Sequence, residues 1–188
     1  MEKFKNRREL YYRGPKKGGI KKEDIFKMDH NFGVLLGASL GNRKTVERHY
    51  DLGGNLDAID ENGFPATVLA SNSAQIEVVR LFLNKGADMS AKAPDGETAL
   101  SVAVRKKKFN IARLLLKSID DEEIISTVKV DTLNERKETP LFDAVRNNDT
   151  EMMELLLSYG ASVDTVNKDG QIPLHVAAQD SRRQDALL

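Results

Sequence analysis

His30, His49 and His175 are the side chains best suited to acid–base or metal chemistry near neutral pH, and they stand far apart in a chain of 188 residues. No HExxH pattern, Ser/His/Asp arrangement or P-loop accompanies them. The absence of cysteine removes thiolate ligands and a thiol nucleophile. Gly14, Gly18 and Gly19 are too irregular for a phosphate cradle, and the acidic run Asp120–Glu123 reads as a solvated face, because a metal site needs convergent ligands. No catalytic residue, cofactor or metal is therefore expected. One dense basic cluster remains, Arg105-Lys106-Lys107-Lys108. It reads either as a solvated turn or as a dock for an acidic or phosphorylated partner, with Arg146 one structural unit away.

Bulk composition narrows the classes further. Lys plus Arg equals Asp plus Glu, so the formal net charge is zero, which argues against nucleic-acid binding by the whole molecule. The charge is unevenly placed, however. Residues 1–22 carry nine Lys or Arg against two Glu, a local balance of +7, and their glycines and proline give no helical or strand period. Residues 1–24 are expected to form a flexible basic arm, with nucleic acid or anionic lipid as its alternative ligand. Ile25, Phe26 and Met28 are expected to fold back over the first unit. Apolar runs are too short to span a bilayer, and the basic start lacks the apolar stretch of a secretory signal. An intracellular protein, cytoplasmic or nuclear, is the expectation.

The elements that would position these groups repeat along the chain. Val34, Thr67, Leu100, Leu141 and Leu174 are spaced by 33, 33, 41 and 33 residues. Three positions later stand Gly37, Ala70, Ala103, Ala144 and Ala177, all small enough for close helix contact. Tyr50, Leu83, Leu116 and Leu157 keep the same spacing, and Gly53, Gly86 and Gly160 follow where a left-handed helix stop is wanted. Asn62-Gly63, Asp95-Gly96 and Asp169-Gly170 supply tight hairpin turns. Val78, Val79, Phe82, Leu83, Leu114, Leu115, Leu116, Met152, Met153, Leu155, Leu156 and Leu157 are expected in the core.

A 33-residue period of two short helices and a turn, with Thr139-Pro140-Leu141, Thr98-Ala99-Leu100, Gly86-Ala87-Asp88 and Pro173-Leu174-His175 at matching places, resembles the ankyrin repeat. The resemblance implies an all-α, right-handed ankyrin-like solenoid of helix-turn-helix pairs with short β-hairpin loops, four full repeats plus a partial fifth. The repeat domain spans 25–188, with units at about 29–61, 62–94, 95–135, 136–168 and 169–188. It also implies that His175 hydrogen-bonds neighbouring hairpin backbone; Thr98 and Thr139 are expected to cap their helices. Gly33 and Leu35 replace the family's proline and histidine in the first unit, and the polar His49 there suits an N-terminal cap. The third unit carries an insertion at 118–129, expected to hold a short helix or to extend the preceding one. In the fifth, only Ser181–Leu188 remain for a second helix, so either the chain is part of a longer repeat protein or Asp185–Leu188 form a stunted cap; the former is favoured.

The family binds proteins through hairpin tips and the exposed side of the first helices, so the resemblance implies a non-enzymatic protein-interaction module with a concave binding surface. Position by position, this face comprises Leu40, Glu61, Asn62, Phe64, Asn72, Asp95, Glu97, Arg105, Lys106, Arg136, Glu138, Arg146, Asn147 and Lys168. Phe64 is either an exposed hot spot or packing between hairpins. The alternative is a regulatory or targeting segment of a larger enzyme or channel.

Overall fold

A computed structural model describes residues 30–124 and 126–185. Its helices are α1 (His30–Leu40), α2 (Arg43–Asp51), α3 (Ala66–Ser73), α4 (Ile76–Asn84), α5 (Ala99–Arg105), α6 (Phe109–Lys117), α7 (Pro140–Arg146), α8 (Thr150–Ser158) and α9 (Pro173–Asp185). They form antiparallel pairs. The inner helices α1, α3, α5, α7 and α9 stack in sequence, and the outer helices α2, α4, α6 and α8 stack behind them. The basic arm, the fold-back of Ile25–Met28 and residues 186–188 lie outside the described residues.

Stacking follows from residue size. Ala70, Ala103 and Ala144 are wholly buried, and each admits an outer helix close to its inner partner. Leucine and valine side chains then fill one continuous core from Val34 to Leu156, since no single helix pair can bury its apolar face alone. Thr67 sits in the leucine register, buried, and donates its hydroxyl to the Asp88 carbonyl at 3.4 Å. A second set of bonds braces neighbouring units. Asp57 accepts the Asp88 amide at 2.8 Å, and Asp131 accepts that of Ser162 at 3.1 Å.

Turn geometry follows the same repeat. The turns between paired helices place Gly41, Ala74, Lys107 and Asn148 at positive φ, and the hairpins place Gly63, Gly96, Lys137 and Gly170 there. Each hairpin closes through a cross-turn amide–carbonyl bond, such as Asp60 to Phe64 and Asn134 to Glu138, both at 3.0 Å. No β-ladder develops among the described residues beyond a bridge between Ile59 and Pro65.

Several expectations meet corrections. Leu157 is 46% exposed instead of buried, while Leu114, Met153 and Leu155 are half-buried against the core. Leu157 lies on the last outer helix, and among the described residues no further outer helix covers it. Residues 118–124 and 126–129 form turns and extended chain instead of a helix. Asp121 spends its carboxylate on the Glu123 amide in a local turn, and the Ser118 and Ser126 hydroxyls bond at 2.9 Å. Thr127 then accepts the Met89 amide at 2.7 Å, which anchors the segment against the preceding unit. Thr98 caps α5 as expected, in a reciprocal box with Ser101. Thr139 does not cap α7, because the Phe142 amide that its hydroxyl would accept binds the Thr139 carbonyl instead. His49, in the first unit's outer helix, is buried against Gly33.

Candidate functional site

Six of the positions expected to bind a partner, Phe64, Asn72, Glu97, Arg105, Glu138 and Arg146, fall on two registers of the array. Phe64, Glu97, Glu138 and Gln171 occupy one hairpin position, and Asn72, Arg105, Arg146 and Gln179 occupy one position near the end of each inner helix. Between the second and third units the first register is apolar: Phe64 is half-buried against Val68, Ala93 and Val102. That resolves Phe64 as packing between hairpins. One unit later the same positions become charged. Glu97 is buried where Phe64 stood, and Asn134 replaces Ala93 and donates to Glu97 Oε1 at 3.4 Å.

The fourth unit repeats this polar pairing more tightly. Glu138 is 3% exposed, accepts Arg146 Nη1 at 2.8 Å with a second bond from Nη2, and receives Asn167 Nδ2 at 3.2 Å. Arg136 approaches the same carboxylate at 3.2 Å. Burial alone would raise the Glu138 pKa, but Arg146 and Asn167, assisted by Arg136, bring it below the usual glutamate value. Asn167 also accepts the Asp169 and Gln171 amides through Oδ1. One side chain thereby shapes the fifth hairpin and ties it to the fourth.

Asp143 completes the cluster. Its register holds Leu36, Leu69, Val102 and Val176 in the other units, and only here does it carry an acid. Asp143 is buried, and its pKa rises to about 6, first through burial and then through the negative charge of Glu97, with Arg146 and Arg105 compensating only in part. Arg146 Nη1 lies 3.9 Å away, as does Arg105 Nε from Glu97 Oε2, and that oxygen is buried without a hydrogen-bond partner. These residues form a continuous charged seam across the third and fourth units. Its acids are structural in geometry, and its arginines reach the surface.

A carboxyl whose folded pKa exceeds its unfolded value binds protons more readily when folded, so stability falls as pH rises from about 4 to about 6, and the cost is complete above that window. Asp143→Asn should therefore raise the unfolding free energy at pH 7.5 by roughly 1–3 kcal/mol, at about 1.4 kcal/mol per pKa unit. The gain should shrink toward zero at pH 4. Urea titrations at both pH values check this, and an unchanged midpoint at pH 7.5 contradicts it.

The remaining expected face residues divide by exposure. Leu40, Glu61, Asn62, Asn72, Asp95, Arg105, Lys106, Arg136 and Lys168 are exposed, Arg146 partly so. Asn147 is half-buried and donates to the Val104 and Arg105 carbonyls, and Lys107 Nζ donates to the Asn147 carbonyl at 3.1 Å. Arg146 and Lys107 thus have duties between or within units, whereas Lys106 is exposed. His175 is exposed and accepts the Ile172 amide of its own hairpin at 3.3 Å, not backbone of a neighbouring one. The seam was missed from sequence, though its signal was present: acid and arginine recur eight residues apart in two consecutive units. Among the described residues no group of three or more His, Asp or Glu converges in a way that could hold a metal, and no helix is long and apolar enough to cross a membrane.

Comparison with known proteins agrees with this geometry. Residues 35–126 and 120–188 match the family model described as ankyrin repeats (3 copies). The chain is 27% identical over 125 residues to human transient receptor potential cation channel subfamily A member 1, covering 66% of this chain and 11% of that protein. It is 29% identical over 126 residues to inversin of Canis lupus familiaris, covering 67% and 11%. It is 24% identical over 132 residues to alpha-latroinsectotoxin-Lt1a of Latrodectus tredecimguttatus, covering 70% and 9%. The chain spans about a tenth of the length of these curated relatives.

Proposed function

The chain belongs to the ankyrin-repeat family, and from that premise we propose that it binds a partner protein through the concave hairpin and inner-helix face, without catalysis. Ankyrin repeats are generally protein-interaction modules and typically non-catalytic. The units are taken as about 29–61, 62–94, 95–135, 136–168 and 169–188. The observation that carries this reading is the charged seam of Glu97, Asp143, Arg105, Arg146 and Glu138. Its Asp143 interrupts an otherwise apolar register at a cost in stability, and such local violations concentrate at functional sites. Rigid stacking contributes by limiting the chain entropy lost on binding.

Exposed side chains choose the partner. Leu40, Glu61, Asn62, Asn72, Asp95, Lys106 and Lys168 present mixed charge, and Lys106 with the outer part of Arg105 supports an acidic or phosphorylated segment of the partner near the third unit. The coverage of about a tenth of each relative, one of them named as a cation channel, favours a second reading: the array as a regulatory or targeting segment of a larger enzyme or channel. The basic arm is proposed to add nucleic-acid or anionic-lipid affinity, which a salt titration with and without residues 1–24 would detect.

The test compares capture by the intact chain and by a variant with Glu61, Asn62, Asn72 and Lys106 replaced by alanine. All four are exposed, so circular dichroism should be unchanged. Partner retention is expected to fall at least tenfold; equal retention by a folded variant would overturn the concave assignment.

A further inference from the structure

The first unit departs from the array at a core position of its outer helix. The register that carries Phe82, Leu115 and Leu156 in α4, α6 and α8, each wholly buried, holds His49 in α2. His49 is itself only 5% exposed, so a polar ring stands where the repeat places an apolar side chain. Gly33 makes the room. Its register holds Ala66, Ala99, Pro140 and Pro173 in the other units, and a Cβ at residue 33 would lie 2.3 Å from His49 Nδ1. The imidazole therefore lies against the backbone of α1, one turn from His30, and the two Nδ1 atoms stand 3.4 Å apart. The rings are tilted by 44° with centroids 5.6 Å apart, so neither stacks on the other and both turn their Nδ1 edges to the gap.

A separation of 3.4 Å exceeds the roughly 2.7–3.2 Å of a strong hydrogen bond from N–H. It matches two imidazole nitrogens on one ion: Zn–N bonds of about 2.0–2.1 Å at the tetrahedral angle put the nitrogens about 3.3–3.4 Å apart. We infer that His30 and His49 bind one divalent transition-metal ion, zinc or a metal of similar ligand preference, through their Nδ1 atoms. Imidazole suits zinc, copper and nickel, whereas magnesium and calcium take oxygen ligands. Among the described residues no third His, Asp or Glu joins the pair, so water completes the shell and the site is weaker than a closed four-ligand one. Arg48, on the same helix as His49, is the opposing charge. His30 is only half-buried, and the ion enters from its side. Once bound, it cross-links α1 to α2 within the first unit, away from the concave face of the third and fourth.

The experiment titrates zinc sulfate into the full chain at pH 7.5 against a chromophoric zinc indicator, with urea denaturation in parallel. One ion per chain and a raised urea midpoint are expected, because the ion favours the folded state. His30→Ala, at a half-buried position, should weaken zinc binding at least tenfold. His49→Leu introduces the residue that the register carries in α6 and α8, so the core stays filled, and it should weaken binding as much. The His175→Ala chain should bind zinc as the unaltered chain does, and magnesium should not compete. Long-range proton–nitrogen spectra of the imidazoles should move at Nδ1 of both rings. Zinc affinity that either His30→Ala or His49→Leu leaves unchanged overturns the inference, and so do zinc-induced shifts confined to Nε2.

Discussion

Glu138→Ala is expected to lower the unfolding free energy by about 3–5 kcal/mol, the range for breaking a buried, multiply bonded ion pair. The carboxylate it removes satisfies both Arg146 nitrogens, Asn167 Nδ2 and Arg136 at once. Arg146 is partly exposed and can recover hydration, which places the loss toward the lower end. Asn167 cannot follow it outward, because its Oδ1 holds the fifth hairpin by two amides. Hydrogen exchange should therefore accelerate at residues 167–171 before it does in α4 or α6. Glu138→Gln keeps an oxygen for Asn167 and should cost less. The pH dependence has the opposite sign to that of Asp143: a depressed carboxyl contributes fully above its unfolded value and is lost as pH falls through the folded one. A change under 1 kcal/mol for Glu138→Ala in urea denaturation would contradict the seam's structural role.

Gly33→Ala should cost about 3 kcal/mol, at the upper end of overpacking effects. A Cβ at Gly33 would lie 2.2 to 2.4 Å from Cγ, Nδ1 and Cδ2 of His49. The ring has little room to retreat, being buried and packed beside His30 at a centroid distance of 5.6 Å. Burial, then the neighbouring His30 and Arg48, lowers the His49 pKa, so the first unit holds a neutral imidazole. Its contribution is present above about 6.5, the ordinary histidine value, and is lost as pH falls through the lowered folded value. Replacing His49 by alanine in the Gly33→Ala background should recover most of the loss, a coupling that a double-mutant cycle reads directly. Without such rescue, the contact between these residues is not what makes glycine necessary.

The periodic features of the fold were legible from residue type because stacking selects for size. Leu100 and Leu141 had to be apolar, Ala103 and Ala144 had to be small, and their spacing located every helix pair. Glycine marked the hairpins at 63, 96 and 170, but Lys137 occupies the left-handed position in the fourth hairpin and only the backbone reveals it. The 118–129 insertion was visible as extra length, whereas its conformation depends on Ser126 closing onto Ser118 at the insertion's own start and on Thr127 meeting Met89 of the preceding unit. The seam was hidden for a related reason. Glu97 and Glu138 have the composition of exposed hairpin residues, and their burial arises from Asn134 and Asn167 one unit further on. Phe64 illustrates the converse, an aromatic at a polar-looking position that finds Ala93 where the later units place asparagine.

Hydrogen exchange on the chain bound to its captured partner tests the concave-face assignment most directly. Slowed exchange is expected in residues 60–73, 95–106 and 134–147, with α2, α4 and α6 unchanged. Protection confined to those outer helices, with none in the hairpins or inner helices, would contradict it.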